Sequence, residues 1–248
     1  MERLKEKKKK ELRMNFFSRF YGVVFSPQQT FKTLSEKPVW IDVLIVILIA
    51  VMIFTYLTMP YTQKDTLQLM EKNIGLKERL GEERFDEMIE RMKNPSQSSV
   101  ILRSAVLTPL TQTIGFLIAS LILLVLGRLV ATEGKYVQVF SAYIYANLID
   151  KILGNALRLF LIMSRKSVFQ TSTSLAIFFP HMEVTSLSYI VLSQVDFFQL
   201  WLFGVLGFGL TYILKIDLKK ALFISYGFWL LKSAVNVAII LVSMSFLD

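Results

Sequence analysis

The stretch Ile41–Pro60, IDVLIVILIAVMIFTYLTMP, decides the class of fold. Asp42 is its only charged residue and stands at its start. A helix needs roughly 20 such residues to cross about 30 Å of hydrocarbon. Further apolar stretches follow it along the chain. Ser104–Gly127 is the strongest and carries LIASLILLVLG towards its end, whereas Tyr136–Met163 is long but interrupted by polar residues. Phe198–Leu214 is short and glycine-rich, and Ala221–Phe246 completes the set. The pattern predicts an all-α polytopic membrane protein: a bundle of five transmembrane helices, with an amphipathic N-terminal segment and a helical extracytoplasmic loop.

Composition agrees. The chain has 248 residues, of which 54% are hydrophobic, and a mean hydropathy of +0.51. Soluble domains sit nearer 45–50% apolar. So much apolar surface excludes a disordered chain. With no cysteine there is no disulfide, iron–sulfur or cysteine–zinc site, and a single histidine, His181, makes a poor start for a metal centre. No cofactor is expected. The formal charge of +9 is distributed as for a membrane surface, so nucleic acid is not an expected partner. The lysine run ends at Lys10, about thirty residues before the first apolar stretch, and no small-residue cleavage site follows that stretch. A cleaved signal peptide is therefore not expected.

Flanking Lys and Arg residues orient the spans. Met1–Trp40 holds ten basic and four acidic residues; Lys135 and the lysines of Lys215–Lys220 fall on the same side if five spans alternate. The other side receives Tyr61–Ser99, with seven basic and eight acidic residues, and the sparsely charged Ser164–Val195. The expectation is a prokaryotic cytoplasmic membrane, with the N-terminus cytoplasmic and the C-terminus outside. Residues 1–39 form the basic, amphipathic segment and 40–248 the membrane domain.

Outside the spans, Phe17, Phe20, Tyr21 and Val24 share a helical face, with Ser18, Arg19 and Gly22 away from it. Ser26-Pro27-Gln28-Gln29 signals a second helix: Ser26 to cap it, Pro27 at its first position and Gln29 suited to a capping box. Phe31 and Leu34 form its apolar face, Pro38 ends it and Trp40 opens the first span. Phe17, Phe20, Tyr21, Phe31 and Trp40 are thus candidates to lie in the headgroup layer, with the KEKKKK run on anionic lipid, or to dock a partner. In the charged loop 61–99, Phe85, Met88, Ile89 and Met92 make an apolar helical stripe. Gly75 and Gly81 suggest two short helices there, and Asn94-Pro95-Ser96 a stop.

FSPQQTFKTLSEKPVW, residues 25–40, resembles the N-terminal motif of Yip1-domain proteins of the prokaryotic branch: an aromatic, Ser-Pro, a Phe four residues after the Pro, then Pro-x-Trp before the first span. The charged helical loop, GKYVQVFSAYIYANL at 134–148 and QLWLFGVLGFGLTYILKIDLKKAL at 199–222 are similar to that family too. The resemblance runs from about Phe16 to Phe246. It implies five spans, a cytoplasmic N-terminus, and a role in membrane organisation and partner recruitment.

HExxH, GxSxG and GxxxxGK[ST] are all missing from the sequence, and no enzyme is expected. Ionisable groups within spans are the remaining functional candidates. Tyr143, Asn147, Asp150, Lys151, Asn155 and Arg158 share a broad face of the third span, and Ser225, Trp229, Lys232 and Asn236 form a stripe on the fifth. Asp150 and Lys232 are expected to face each other near mid-bilayer. Arg103 and Asp196 are expected to snorkel from outer span ends, and Pro109 to kink the second span, with Thr108 and Thr111 satisfying freed carbonyls. The expected function is a non-enzymatic scaffold or adaptor with a membrane-protein partner, homo-oligomerisation being open. The alternative is a transporter, or an accessory subunit of an ABC-type export system, that uses the polar stripe.

Overall fold

The computed structural model describes residues 14–169 and 173–245, which are helical apart from turns and one short extended contact between Ser174 and Asp196. The basic run Lys5–Lys10 and the expected end of the last span at Phe246 lie outside the described residues. The first helices are α1 (Phe16–Phe25), α2 (Pro27–Glu36), α3 (Ile41–Glu71), α4 (Ile74–Leu80) and α5 (Glu82–Lys93). Next, α6 (Gln97–Ile101) runs through a π-helical turn (Leu102–Leu107) into α7 (Thr108–Arg128). Then follow α8 (Tyr136–Leu148), a second π turn (Ile149–Gly154), α9 (Asn155–Arg165), a 3₁₀ turn (Leu175–Phe178), α10 (Leu187–Gln194), α11 (Phe197–Leu214) and α12 (Leu218–Ser245).

Four helical runs among the described residues are long and apolar enough to cross a membrane: Ile41–Glu71, Gln97–Arg128, Phe197–Leu214 and Leu218–Met244. Five spans were expected. The third, Tyr136–Met163, is helical but not among the four, and Asp150, Lys151 and Arg158 interrupt its apolar run.

Prolines shape two of the four. The first span was expected to end at Pro60, yet α3 continues through it to Glu71. Proline lacks an N–H and crowds the preceding turn. Nearby hydroxyls bond the helix's own carbonyls, Thr58 donating to Phe54 at 2.8 Å and Thr62 to Thr58 at 3.1 Å. The charged loop expected from Tyr61 thus begins as a continuation of the same helix. Ahead of Pro109 the chain opens into the first π turn, and Thr108 donates its hydroxyl to the Arg103 carbonyl at 2.8 Å.

The chain divides into two compact units. The first takes residues up to Ala50, Thr111–Leu153 and Phe198–Leu230. At its heart is α8, buried continuously from Val139 into the following turn at Asp150. A helix buried all round packs on every side. Tyr143 meets Phe116 and Phe228 edge-on at 5.9 and 6.2 Å between ring centres. Ser225 of α12 donates to the Phe203 carbonyl of α11 at 2.6 Å.

The N-terminal helices join this unit. Pro27 starts α2 as expected, but the Ser26 side chain does not cap; its carbonyl accepts the Thr30 hydroxyl at 3.1 Å instead. Phe31 and Leu34 are buried. A Cβ on Gly209 would lie 3.0 Å from the Phe31 ring and 3.2 Å from the Ala142 methyl, so α2, α8 and α11 meet where α11 has no side chain. Gln138 donates to the Ser35 carbonyl at 2.6 Å and Ser141 to the Val39 carbonyl at 2.9 Å. Trp40 stands edge-on to Phe140.

The second unit takes Val51–Leu110, Gly154–Phe197 and the chain from Leu231 onward. Its charged segment folds as two short helices with a corner at Gly81, whose φ of +79° suits glycine. Gly75 lies inside α4; Asn73 caps that helix by accepting from Leu76 N at 2.9 Å. Phe85 and Ile89 of the expected stripe are buried with Leu76, and Met88 packs on them. At the far end of α5, Lys93 reaches Glu71 at 3.3 Å, and Gln63 donates to the Lys93 carbonyl at 3.0 Å.

Candidate functional site

The polar stripe of the expected third span is distributed between the units. In the first, Tyr143 is buried among rings, and Asn147 donates back to the Tyr143 carbonyl at 2.8 Å, a bond local to α8. Asp150, only 1% exposed, lies in the second π turn and is paired with its neighbour Lys151 at 2.9 Å. A π turn holds more residues than an α turn and so changes the helical phase. Strict α spacing therefore does not carry the stripe across it.

Asn155 and Arg158 belong to the second unit. Arg158 pairs with Asp196 at 3.0 Å, and donates to Thr173 at 3.0 Å and to Asn155 at 3.1 Å. Thr173 in turn donates to Asp196. Asp196 was expected to snorkel into the interface; it is buried instead, because a guanidinium and a hydroxyl replace the water it would seek. Phe197 N donates to the Thr173 carbonyl at 3.2 Å, joining the two strands of this clasp.

The stripe on the last span also divides. Ser225 is buried in the first unit, while Lys232 and Asn236 belong to the second and are exposed on the protein surface. Asn236 donates to the Gln194 side chain at 2.9 Å.

The aromatic segment divides by helix. Phe17 and Tyr21 of α1 are 78% and 61% exposed, Phe20 is half-buried, and Phe25 is exposed and stacked on Tyr21. The face that α1 turns inward is Arg19, Gly22 and Val23. In contrast, Phe31 is fully buried and Trp40 half-buried.

Two further polar sites escaped the sequence reading. Arg19 pairs with Asp42 at the start of α3, its guanidinium lies 5.8 Å over the Tyr145 ring, and the Tyr145 hydroxyl donates to Asp42 at 3.4 Å. A carboxylate in a span's first turn was the available signal for this cluster. The other site is Asp65, buried on the extension of α3. Its carboxylate accepts from Val168 N at 2.6 Å, Phe169 N at 3.1 Å and the Ser167 hydroxyl at 2.8 Å. Nothing distinguishes Asp65 from the other acidic residues of a charged segment. Beside it, Lys166 lies 5.7 Å over the Tyr61 ring, and Tyr189 donates to the Phe169 carbonyl at 2.7 Å; burial pushes the Tyr189 phenol up.

These arrangements can pin helices and position exposed faces. Among the described residues, no three His, Asp or Glu side chains cluster as metal ligands, and His181 is exposed. No curated protein and no solved structure matches the chain. A model of the Yip1 domain matches residues 21–240, which takes in the docked α2, the buried α8 and the α11–α12 pair. With its helices apolar enough to span a bilayer, the chain belongs to the Yip1 family of integral membrane proteins.

Proposed function

We propose that the protein is a non-enzymatic scaffold or adaptor of the membrane, one that recruits or regulates a membrane-protein partner. The observation that carries this reading is the opposite treatment of the two N-terminal helices. Phe31, Leu34 and the Arg19–Asp42 pair hold the hairpin on the membrane domain, while Phe17, Tyr21 and Phe25 point away from it. Holding an aromatic face rigidly outward costs stability unless something covers it. Headgroups of an anionic leaflet and a partner helix, including one from a second copy, are the coverings such a face suits.

In this reading residues 1–39 form the cytoplasmic platform and 40–248 a five-span domain with an outside C-terminus, in a prokaryotic cytoplasmic membrane. The crossing beyond the four long apolar helices is the third span, Tyr136–Met163. The continuous burial of α8 supports it, since a span enclosed by protein does not need an apolar lipid face. The second reading, a transporter or export-system subunit, draws on one observation, the buried Asp150–Lys151 pair in a π turn.

The test is purification in mild detergent of the wild type and of a Phe17→Ala/Tyr21→Ala variant, with a periplasm-active reporter fused after Asp248. The scaffold reading expects a stoichiometric membrane-protein partner, lost in the variant, and a reporter that is active. A protein that purifies alone and moves solute in vesicles would overturn it in favour of transport; an inactive reporter would overturn the topology.

A further inference from the structure

Within the second unit, the extension of α3 and the segment from α5 to the first π turn line a cavity of about 340 Å³. Its charged lining residues are Arg91 and Arg103, and no carboxylate lines it. Arg103 is exposed, and among the described residues its guanidinium makes no ion pair or hydrogen bond. Among the described residues Arg91 is held by Glu87, at 2.6 Å, in an i,i+4 pair whose two side chains are mostly exposed. Such a pair is weak and gives way readily to a stronger anion.

The hydroxyls add to this. On α3, Thr58 and Thr62 donate to the preceding turn, the usual fate of a threonine in a helix. Thr55 and Thr66 also line the cavity, and their hydroxyls make no hydrogen bond among the described residues. Guanidinium groups are suited to phosphate oxygens, and Thr55 and Thr66, about three helical turns apart on α3, place hydroxyls along the length of the cavity.

The surroundings indicate what carries the phosphate. The cavity lies where the apolar part of α3 gives way to charge and where the second span begins. Met59 and Met92 line it as well, and Tyr56, Leu57, Leu102 and Val106, close in sequence to lining residues, are exposed apolar side chains. Acyl chains lying on those residues would bring their headgroup to the guanidinium groups. The π turn fixes the backbone of Arg103 there through Thr108.

We propose that this cavity binds the phosphate of an anionic phospholipid headgroup. The site is independent of the aromatic platform and of any protein partner.

The experiment titrates the full-length protein, in neutral detergent, with short-chain phosphatidylglycerol, short-chain phosphatidylcholine and inorganic phosphate, reading binding by calorimetry. Phosphatidylglycerol is expected to bind, and phosphatidylcholine to bind about tenfold or more weakly. Affinity should fall with added salt. Arg103→Gln should lower phosphatidylglycerol affinity by about tenfold, the value of one charge-assisted hydrogen bond, with Arg103→Lys between the two. Because Arg103 is exposed, the variant should melt with the wild type. Equal binding of the two lipids, or unchanged affinity in Arg103→Gln, would overturn the proposal. Inorganic phosphate binding as tightly as phosphatidylglycerol would overturn the lipid as the source and leave a free-anion site.

Discussion

Replacing Phe31 with Ala tests whether α2 is docked on the membrane domain or merely lies on the bilayer. The ring is fully buried and faces the backbone of α11 at Gly209 and the methyl of Ala142. A core Phe→Ala change costs about 3–5 kcal/mol, and more where the walls cannot collapse. Neither a glycine nor an alanine can reach into the gap, which places the loss towards the upper end. At about 2–4 °C per kcal/mol for a chain of this size, the melting temperature should fall by roughly 10 °C or more. The reciprocal change, Gly209→Ala, puts a methyl 3.0 Å from the ring and 3.2 Å from Ala142, closer than comfortable packing. Overpacking of this kind costs about 1–3 kcal/mol. In the double variant the new methyl enters the space the ring vacated, so the combined loss should be smaller than the sum by about 0.5–3 kcal/mol. Thermal unfolding of the detergent-solubilised protein, followed by tryptophan fluorescence, measures all three. A fall below about 2 °C for Phe31→Ala, or strictly additive losses, would refute docking at this point.

Asp65→Ala should leave the part-buried Val168 and Phe169 N–H groups without their carboxylate, at about 1 kcal/mol for each donor. Amide exchange at 166–169 should then quicken about tenfold, with Asp65→Asn between, and unchanged protection would refute the Asp65 carboxylate as what holds this segment. At the α4–α5 corner, Lys77 bonds Glu82 at 2.8 Å, which holds the Glu82 carboxyl below, and the Lys77 ammonium above, their ordinary ranges. For a lowered carboxylate the stabilisation is present above its unfolded value, near pH 4, and is lost as pH falls through the folded value. Protection factors at the corner, taken relative to the intrinsic exchange rate at each pH, should therefore fall on acidification in the wild type. Glu82→Gln should be insensitive over the same window, and both proteins should behave alike in high salt, because the pair is exposed.

The helices of this protein were legible because the bilayer imposes a simple test: a backbone in hydrocarbon must bond to itself, and a span needs a minimum apolar length. Ile41–Pro60 and Ser104–Gly127 satisfy it by composition alone. The short helices α1, α2 and α5 announced themselves through apolar spacing and Pro27 at a helix start. Spacing did not show which side of each short helix faces protein. Phe17 and Phe31 look alike in sequence, yet one is exposed and the other buried, because only Phe31 comes opposite a helix that has a glycine at the contact.

Charges depended even more on the fold. Asp150 and Lys232 each stand on a polar stripe in the sequence; the structure places Asp150 buried in a π turn beside Lys151, and Lys232 exposed in the second unit. Asp196 and Asp65 are buried because partners distant in sequence, Arg158 and the amides after Lys166, replace their water. The sequence by itself determined the class: apolar length and the order of the motifs are properties of the chain, readable without a partner. Only the tertiary structure decided which polar groups are satisfied and which aromatic face is left open, because both depend on which backbone group or ring comes opposite.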